Sequence, residues 1–209
     1  MGRASSDGPC KYACLRLKQS SFLAANRDRM DTPAWPPDIF FRGAVPGDQV
    51  ALPPVARRIF TETFGSRFAG AEFDAFCDAA YGPSGAMARD LGDPAVGWRI
   101  AEHAGVPVGY AKLRAWTGLP SPRQSGAMEL QQIYVLSTWH GRGIAELLMH
   151  WAVGEALARG APSLFLTVFD HNERAKRFYA RHGFAEVGHC EFRLGDQVHD
   201  DRVWCKTLA

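Results

Sequence analysis

His140-Gly141-Arg142-Gly143-Ile144-Ala145 stands between the run Gln132-Ile133-Tyr134-Val135-Leu136 and an amphipathic segment, and its reading decides the fold. The β-branched and aromatic residues before it favour an extended strand. Its two glycines permit a tight turn, and the apolar residues after it recur at helical spacing. A strand that ends in such a turn and opens straight into a helix leaves the helix's first N–H groups without acceptors. Those donors, with about half a positive charge at the helix start, make the turn an anion site whose natural ligand is a phosphate or pyrophosphate.

Outward from the turn, the helix spans Gly143 to Arg159 on the spacing of Ile144, Leu147, Leu148, Trp151, Ala152 and Leu157, and Gly160 with Pro162 ends it. The strand before it covers Met128 to Leu136, after punctuation at Pro120-Ser121-Pro122 and Ser125-Gly126. Two earlier strands, Gly97 to Glu102 and Val106 to Trp116, are joined by the hairpin loop His103-Ala104-Gly105. Further upstream lie a strand at Ile39 to Arg42 and helices over Gln49 to Phe64, Phe73 to Tyr81 and Ser84 to Leu91. Downstream come a buried strand from Ser163 to Phe169, a helix from Asn172 to Arg181 stopped by Gly183, and strands near Ala185 to Leu194 and Val203 to Leu208. Alternation of this kind makes an α/β domain over residues 38–209.

Composition narrows the function classes. The chain has 209 residues, 46% of them apolar and 22% charged, which is enough for one α/β domain with a substantial core. A net charge of +2 gives no basic face for nucleic acid. No apolar run approaches the eighteen or so residues of a membrane span, and no secretory signal opens the chain. The five cysteines, Cys10, Cys14, Cys77, Cys190 and Cys205, are odd in number and scattered, which fits reduced thiols in the cytoplasm better than a disulfide framework. Residues 1–29 hold six Lys or Arg against two acidic residues, and the segment 1–37 is expected to be a disordered N-terminal extension, with Met30 as a candidate natural start. His189-Cys190 and His199-Asp200-Asp201 have no metal-ligand spacing and are expected in a turn or exposed strand, with no metal bound.

A second motif makes the first one specific. Asn172-Glu173-Arg174-Ala175-Lys176-Arg177-Phe178-Tyr179, followed by Arg181-His182-Gly183-Phe184, stands downstream of the glycine turn. Together they resemble the two signatures of the GNAT superfamily of N-acetyltransferases, and Met128 to Phe184 looks like that superfamily's core. Glu129-Leu130-Gln131-Gln132-Ile133-Tyr134-Val135-Leu136 and Glu62-Thr63-Phe64-Gly65 add a softer similarity to bacterial spermidine/spermine-type members. The resemblance implies a GNAT fold: a central mixed, mostly antiparallel sheet of about seven strands flanked by helices, splayed between the fourth and fifth strands to form a cofactor cleft.

It also implies acetyl-CoA as co-substrate. The pyrophosphate would lie on His140, Gly141, Arg142, Gly143, Ile144 and Ala145, and the pantetheine arm would pair with the backbone of Ile133, Tyr134 and Val135. From Val135 back to Glu129 is roughly 20 Å of strand, long enough for that arm. His140 replaces the usual Gln or Arg; its ring can donate to phosphate, or it is an exposed turn residue. Arg142 adds a charge or is solvated. Asn172 contacts the cofactor, caps the following helix, or does both.

Tyr179 matches the position that protonates the departing thiolate, against the commoner fate of a helix aromatic packed in a core. The attacking amine must lose a proton, and Glu129 or a water relay is the expected base, with a plain strand-edge carboxylate as the other reading of Glu129. On an unbroken strand Glu129 shares a face with Gln131, Ile133 and Val135, and a bulge shifts that phase. Acceptor-site candidates are Glu62, Asp74, Asp78, Tyr81 and Trp116.

The implied function is acetyl transfer to a primary amine such as a polyamine or other small amine. Transfer to a protein N-terminus or lysine is the second acceptor class, and a non-catalytic acyl-CoA sensor the rival function. A nucleotide hydrolase fails because no Lys-Ser or Lys-Thr follows Gly143. The terminal strands after Gly183 are a place where two subunits of a homodimer could pair.

Overall fold

Seven strands form an open sheet in the order β1-β2-β3-β4-β5-β7-β6. In this computed structural model the described residues are 38–68, 70–118 and 125–208, and they belong to one unit, 34–209. The extension 1–37, with Cys10 and Cys14, and the Pro120-Ser121-Pro122 punctuation lie outside the described residues. In chain order the elements are β1 (Ile39–Arg42), α1 (Asp48–Phe68), α2 (Ala71–Tyr81), α3 (Ala86–Leu91), β2 (Gly97–His103), β3 (Val106–Ala115), β4 (Met128–Val135), α4 (Ile144–Ala158), β5 (Ser163–Phe169), α5 (Glu173–Arg181), β6 (Ala185–Leu194) and β7 (Gln197–Thr207). The β2–β3 turn has positive φ at both Ala104 (49°) and Gly105 (76°), which is what a two-residue turn matching the strand twist requires.

β1 to β4 pair antiparallel, β5 pairs antiparallel with β7, and β7 with β6. Only β4 and β5 run parallel, and their register holds at two pairs, Met128 with Leu164 and Glu129 with Phe165, before the strands part. The parting is the expected splay. It leaves one edge of β4, from Gln131 to Val135, without a strand beside it.

A bulge corrects the face assigned to Glu129. In the β3–β4 register Lys112 opposes Gln132 and Leu113 opposes Leu130, so Gln131 is the extra residue. Residues directly opposite share a face, so Glu129, Gln132 and Tyr134 stand with Arg114, Lys112 and Tyr110. Leu130, Ile133 and Val135 face the other way. An unbroken alternation would have put Glu129 with Ile133 and Val135.

The second correction is β7, which begins at Gln197, six residues before the expected Val203. Its first half, Gln197-Val198-His199-Asp200-Asp201-Arg202, is polar and half exposed, so it lacks the apolar signal of a buried strand. It is a strand because it hydrogen-bonds β6 across the turn Gly195-Asp196 and β5 on its other side. Both terminal strands therefore pair within the chain.

α4 packs on one face of the sheet through Ile144, Leu148, Met149, Ala152 and Ala156, all at most 1% exposed. Its N-cap is Gly143 in the left-handed region with no side-chain cap. Gly160, also left-handed at φ 72°, closes its C-terminus. α1 to α3 cover part of the sheet beside β3 and β4 with a phenylalanine-rich surface, in which Phe60 stacks on Phe73 and Phe76 at 5.6 and 5.3 Å.

Candidate active site

Two clefts meet on this sheet. One, of about 590 Å³, runs from the glycine turn along β4 toward α5 and is lined by Ile133, Val135, His140, Gly141, Gly143, Ile144, Ala145 and Arg174 among others. The other, of about 790 Å³, lies between α1–α3, the middle of the sheet and the β6–β7 hairpin. Tyr134, Asn172, Ala175 and Tyr179 line both.

The glycine turn has the conformation its sequence requires. Gly141 and Gly143 have φ of 75° and 74°, where a side chain is strained. They aim the start of α4 at the cleft, and no side chain caps its free N–H groups. Arg142 does not stand over the turn alone; its guanidinium lies 4.7 Å above the Trp139 ring.

His140 is used differently from the expectation. Its Nε2 is 2.9 Å from the Val135 carbonyl, and its Nδ1 is 2.8 Å from Arg174 Nη1. Arg174 can only donate, so Nδ1 accepts and Nε2–H donates to Val135. The ring therefore holds Arg174 beside the turn and has no free nitrogen to give a phosphate. Arg174 is a cation that sequence reasoning missed, because the contact joins residues thirty-four positions apart.

Asn172 caps α5: its side-chain oxygen accepts from Ala175 N at 3.1 Å. The amide nitrogen has no hydrogen-bond partner among the described residues and lines the seam of the two clefts. Tyr179 is half-buried at the same seam. Burial, then the neighbouring Tyr134, raises its pKa far above that of a free phenol, so it is protonated at neutral pH. Tyr134 is pushed up to about 12 by burial and by Asp201.

Glu129 lies in the larger cleft, 6% exposed, with Oε2 accepting from Arg114 Nε at 2.7 Å. The buried Lys112 pairs with Asp90 in the same cleft and lies 5.3 Å from the Trp98 ring centroid. Desolvation lowers the Lys112 pKa although that partner opposes it. Asp201, on the polar half of β7, is a third carboxylate there; its Oδ1 is buried without a hydrogen-bond partner among the described residues. Burial first, then Asp200 and Asp170, push its pKa up to about 6.

Of the five acceptor-site candidates, the structure brings only Tyr81 into this cleft. Trp116 stacks on Phe165 at 4.7 Å. Asp78 pairs with Arg57, and Glu62 pairs with Arg58 and accepts from Ser137 N. Asp74 lies on α2 outside the cleft lining. His189 and Asp200 face each other across β6 and β7 at 3.4 Å. At the rim of the smaller cleft, Glu146 and His150 on α4 converge with His182 at the end of α5, all within 4.8 Å. There the Glu146–His182 contact of 3.3 Å links the two helices.

The sheet thus opens between two parallel strands, with an uncapped helix start at one end of the cleft and a protonated tyrosine midway. The comparisons with known proteins say which class of protein this is. Residues 55–184 match the model of the acetyltransferase (GNAT) family. An uncharacterised N-acetyltransferase of Mycobacterium tuberculosis is 35% identical over 162 residues, covering 78% of this chain and 99% of that protein. A mycothiol acetyltransferase of Acidimicrobium ferrooxidans is 38% identical over 105 residues, 49% of this chain and 31% of that longer protein. Among solved structures, the PaiA N-acetyltransferase of Thermoplasma acidophilum in complex with coenzyme A shares the fold, with a TM-score of 0.65 at 17% identity over 81% of this chain and 98% of that one. The chain belongs to the GNAT family and is an N-acetyltransferase.

Proposed function

We propose that this enzyme transfers the acetyl group of acetyl-CoA to the nitrogen of a small primary amine by direct attack on the thioester. The observation that carries this reading is the seam: the cleft that begins at the glycine turn and the cleft behind it share Tyr134, Asn172, Ala175 and Tyr179. A thioester entering from one side and an amine from the other would meet there.

The residues present fit the co-substrate. Acetyl-CoA supplies an activated acyl carbon and a thiol leaving group at the end of an extended, anionic arm. The α4 start and the glycine turn offer N–H donors to a pyrophosphate, and Arg174, held by His140, adds a cation. The unpaired edge of β4 at Ile133 to Val135 offers backbone groups to an extended arm. Asn172 keeps amide donors for it at the seam.

Tyr179 holds a phenol proton at neutral pH, and we assign it to the departing sulfur. The amine must shed a proton as it attacks, and the larger cleft holds carboxylates for that step, Glu129 among them. The decisive measurement is thiol release from acetyl-CoA over a panel of polyamines, aromatic monoamines, amino acids and peptides, with Tyr179→Phe beside the native enzyme. Release that falls about a hundredfold in the variant supports the reading. Tight CoA binding with no release across the panel would make the protein an acyl-CoA sensor instead.

A further inference from the structure

Resting on that acetyl-transfer reading, we propose that the acceptor is a monoamine carried on an aromatic body, and that Asp201 is the carboxylate that receives its nitrogen and takes its proton. The wall of the larger cleft supplies the first half of the argument. Phe60, Phe64, Phe68, Phe76, Phe169 and Phe192 all line it. They come from α1, α2, β5 and β6, so phenylalanine surrounds the space rather than marking one helix face. Several already meet edge to face, as Phe64 with Phe169 at 6.3 Å and Phe76 with Phe192 at 5.5 Å. Aromatic rings favour the same geometry toward a guest ring.

The charges supply the second half. Asp90 is paired with Lys112 and Glu129 with Arg114, which leaves Asp201 as the carboxylate in the cleft with no cationic partner among the described residues. Arg89 adds a further cation to the lining. A polyamine carries two or more ammonium groups and needs as many free carboxylates along its length. This cleft offers one, and three side-chain cations besides. One amino group on an apolar ring matches both the single acid and the phenylalanine wall.

Position favours Asp201 over Glu129 for the proton. Glu129 is level with Phe165 on β5, and Asp201 is level with Phe169, four residues or about 13 Å further along the strand. That displacement leads toward the end of β5 from which Asn172 and α5 follow, and thus toward the seam residue Tyr179. Asp201 also lies close enough to Tyr134, another seam residue, to raise its pKa. Oε2 of Glu129 is committed to Arg114, whereas Oδ1 of Asp201 is buried and unpartnered.

The titratable groups facing Asp201 are Asp200 beside it, Asp170 at the end of β5, Cys190 opposite it on β6, Tyr134 on β4 and His199 two residues earlier on β7, whose Nε2 is buried without a hydrogen-bond partner among the described residues. The adjacent Arg202 is taken by Asp170 and Asp200, and no cation is paired with Asp201 among the described residues, so a bound amine can serve as its counter-ion. The step balances without another reactant. The amine binds as the ammonium beside ionised Asp201 and first sheds one proton through Asp201 to solvent. The neutral amine then forms the N–C bond as the C–S bond breaks, its second N–H proton passes to Asp201, and the Tyr179 proton passes to sulfur. Solvent then removes the proton from Asp201 and restores one to Tyr179.

The test is steady-state kinetics with phenethylamine, tyramine, putrescine and spermidine from pH 5 to 9, on the native enzyme, Asp201→Asn, Asp201→Ser and Glu129→Gln. CoA affinity is measured for each as proof of folding. Expected are a kcat/KM at least tenfold higher for the aromatic monoamines, and a kcat/KM that rises with pH through about 6. Both Asp201 variants should lose that limb and about a hundredfold in kcat, while Glu129→Gln keeps the limb. A tenfold preference for the polyamines overturns the acceptor class. A limb that survives in the Asp201 variants, or disappears in Glu129→Gln, overturns the role of Asp201. Absence of turnover with these four amines and with the amino acids and peptides of the thiol-release panel defeats the acetyl-transfer reading itself and this inference with it.

Discussion

The two clefts are built from different parts of the chain. The smaller cleft, proposed for the cofactor, draws on main chain: a turn bent by Gly141 and Gly143, the uncapped start of α4, and the edge of β4 that β5 abandons after Phe165. The larger cleft, proposed for the acceptor, is lined by residues of α1, α2, α3, β3, β4, β5, α5, β6 and β7. Backbone sites tolerate sequence change wherever the φ angles survive; side-chain sites change with every residue. The lesson is visible in the family match, which ends at residue 184, before β6 and β7 contribute Phe192 and Asp201.

The comparison breaks most readily at the seam. Tyr179→Phe removes the phenol proton assigned to the departing sulfur where both clefts meet, and kcat should fall about a hundredfold or more, with the Kd of CoA unchanged by titration. A loss confined to KM would mean that Tyr179 only packs.

Gly143→Ala tests the backbone side. A Cβ there would meet nothing within 4 Å, yet φ is 74°. The cost is conformational, roughly 1–2 kcal/mol. If the turn relaxes to avoid it, KM for acetyl-CoA should rise about tenfold while KM for the amine stays within twofold.

Phe192→Ala tests the side-chain side with the opposite signature. Losing one aromatic partner, worth roughly 0.5–1.5 kcal/mol, should raise KM for an aromatic amine about fivefold and leave acetyl-CoA untouched. Arg174→Ala should raise KM for acetyl-CoA severalfold at low salt, an effect that shrinks as ionic strength rises; an unchanged salt response would remove Arg174 from the phosphate site.

The smallest effect concerns stability. The folded pKa of Asp201 is raised from 3.8 to about 6, so ionising it disfavours the folded state. Its proton is held more tightly folded than unfolded, and stability is lost as pH climbs through the window from about 4 to 6. Asp201→Asn should therefore match or exceed the native Tm at pH 8 by calorimetry, although it impairs turnover. A lower Tm would show that the carboxylate stabilises the hairpin.

Much of this could be read from order and spacing alone. Periodicity located every strand and α-helix of the described fold but not the 3-10 turn Ser137–Trp139 before the glycine turn, with its largest boundary error at β7, whose polar first half carries no apolar alternation. The glycine turn and the Asn172 to Tyr179 motif pointed to residues that line the smaller cleft, since left-handed turns and helix starts are written in neighbouring residues. The β4 bulge was not legible, because an extra residue in a ladder exists only relative to the partner strand. Nor was the pairing of His140 with Arg174, or the meeting of six phenylalanines around one free carboxylate.

By itself, then, the sequence determined the left-handed glycine turn that opens α4, the order of the elements and the identity of Tyr179 as the residue to watch. Local conformation depends on a few adjacent side chains, and those are visible in a string. Only the tertiary structure decided which face Glu129 occupies, that His140 serves Arg174, and that Asp201 reaches the acceptor cleft. Each of these is a contact between segments far apart in the chain, set by strand register and burial, which no local pattern encodes.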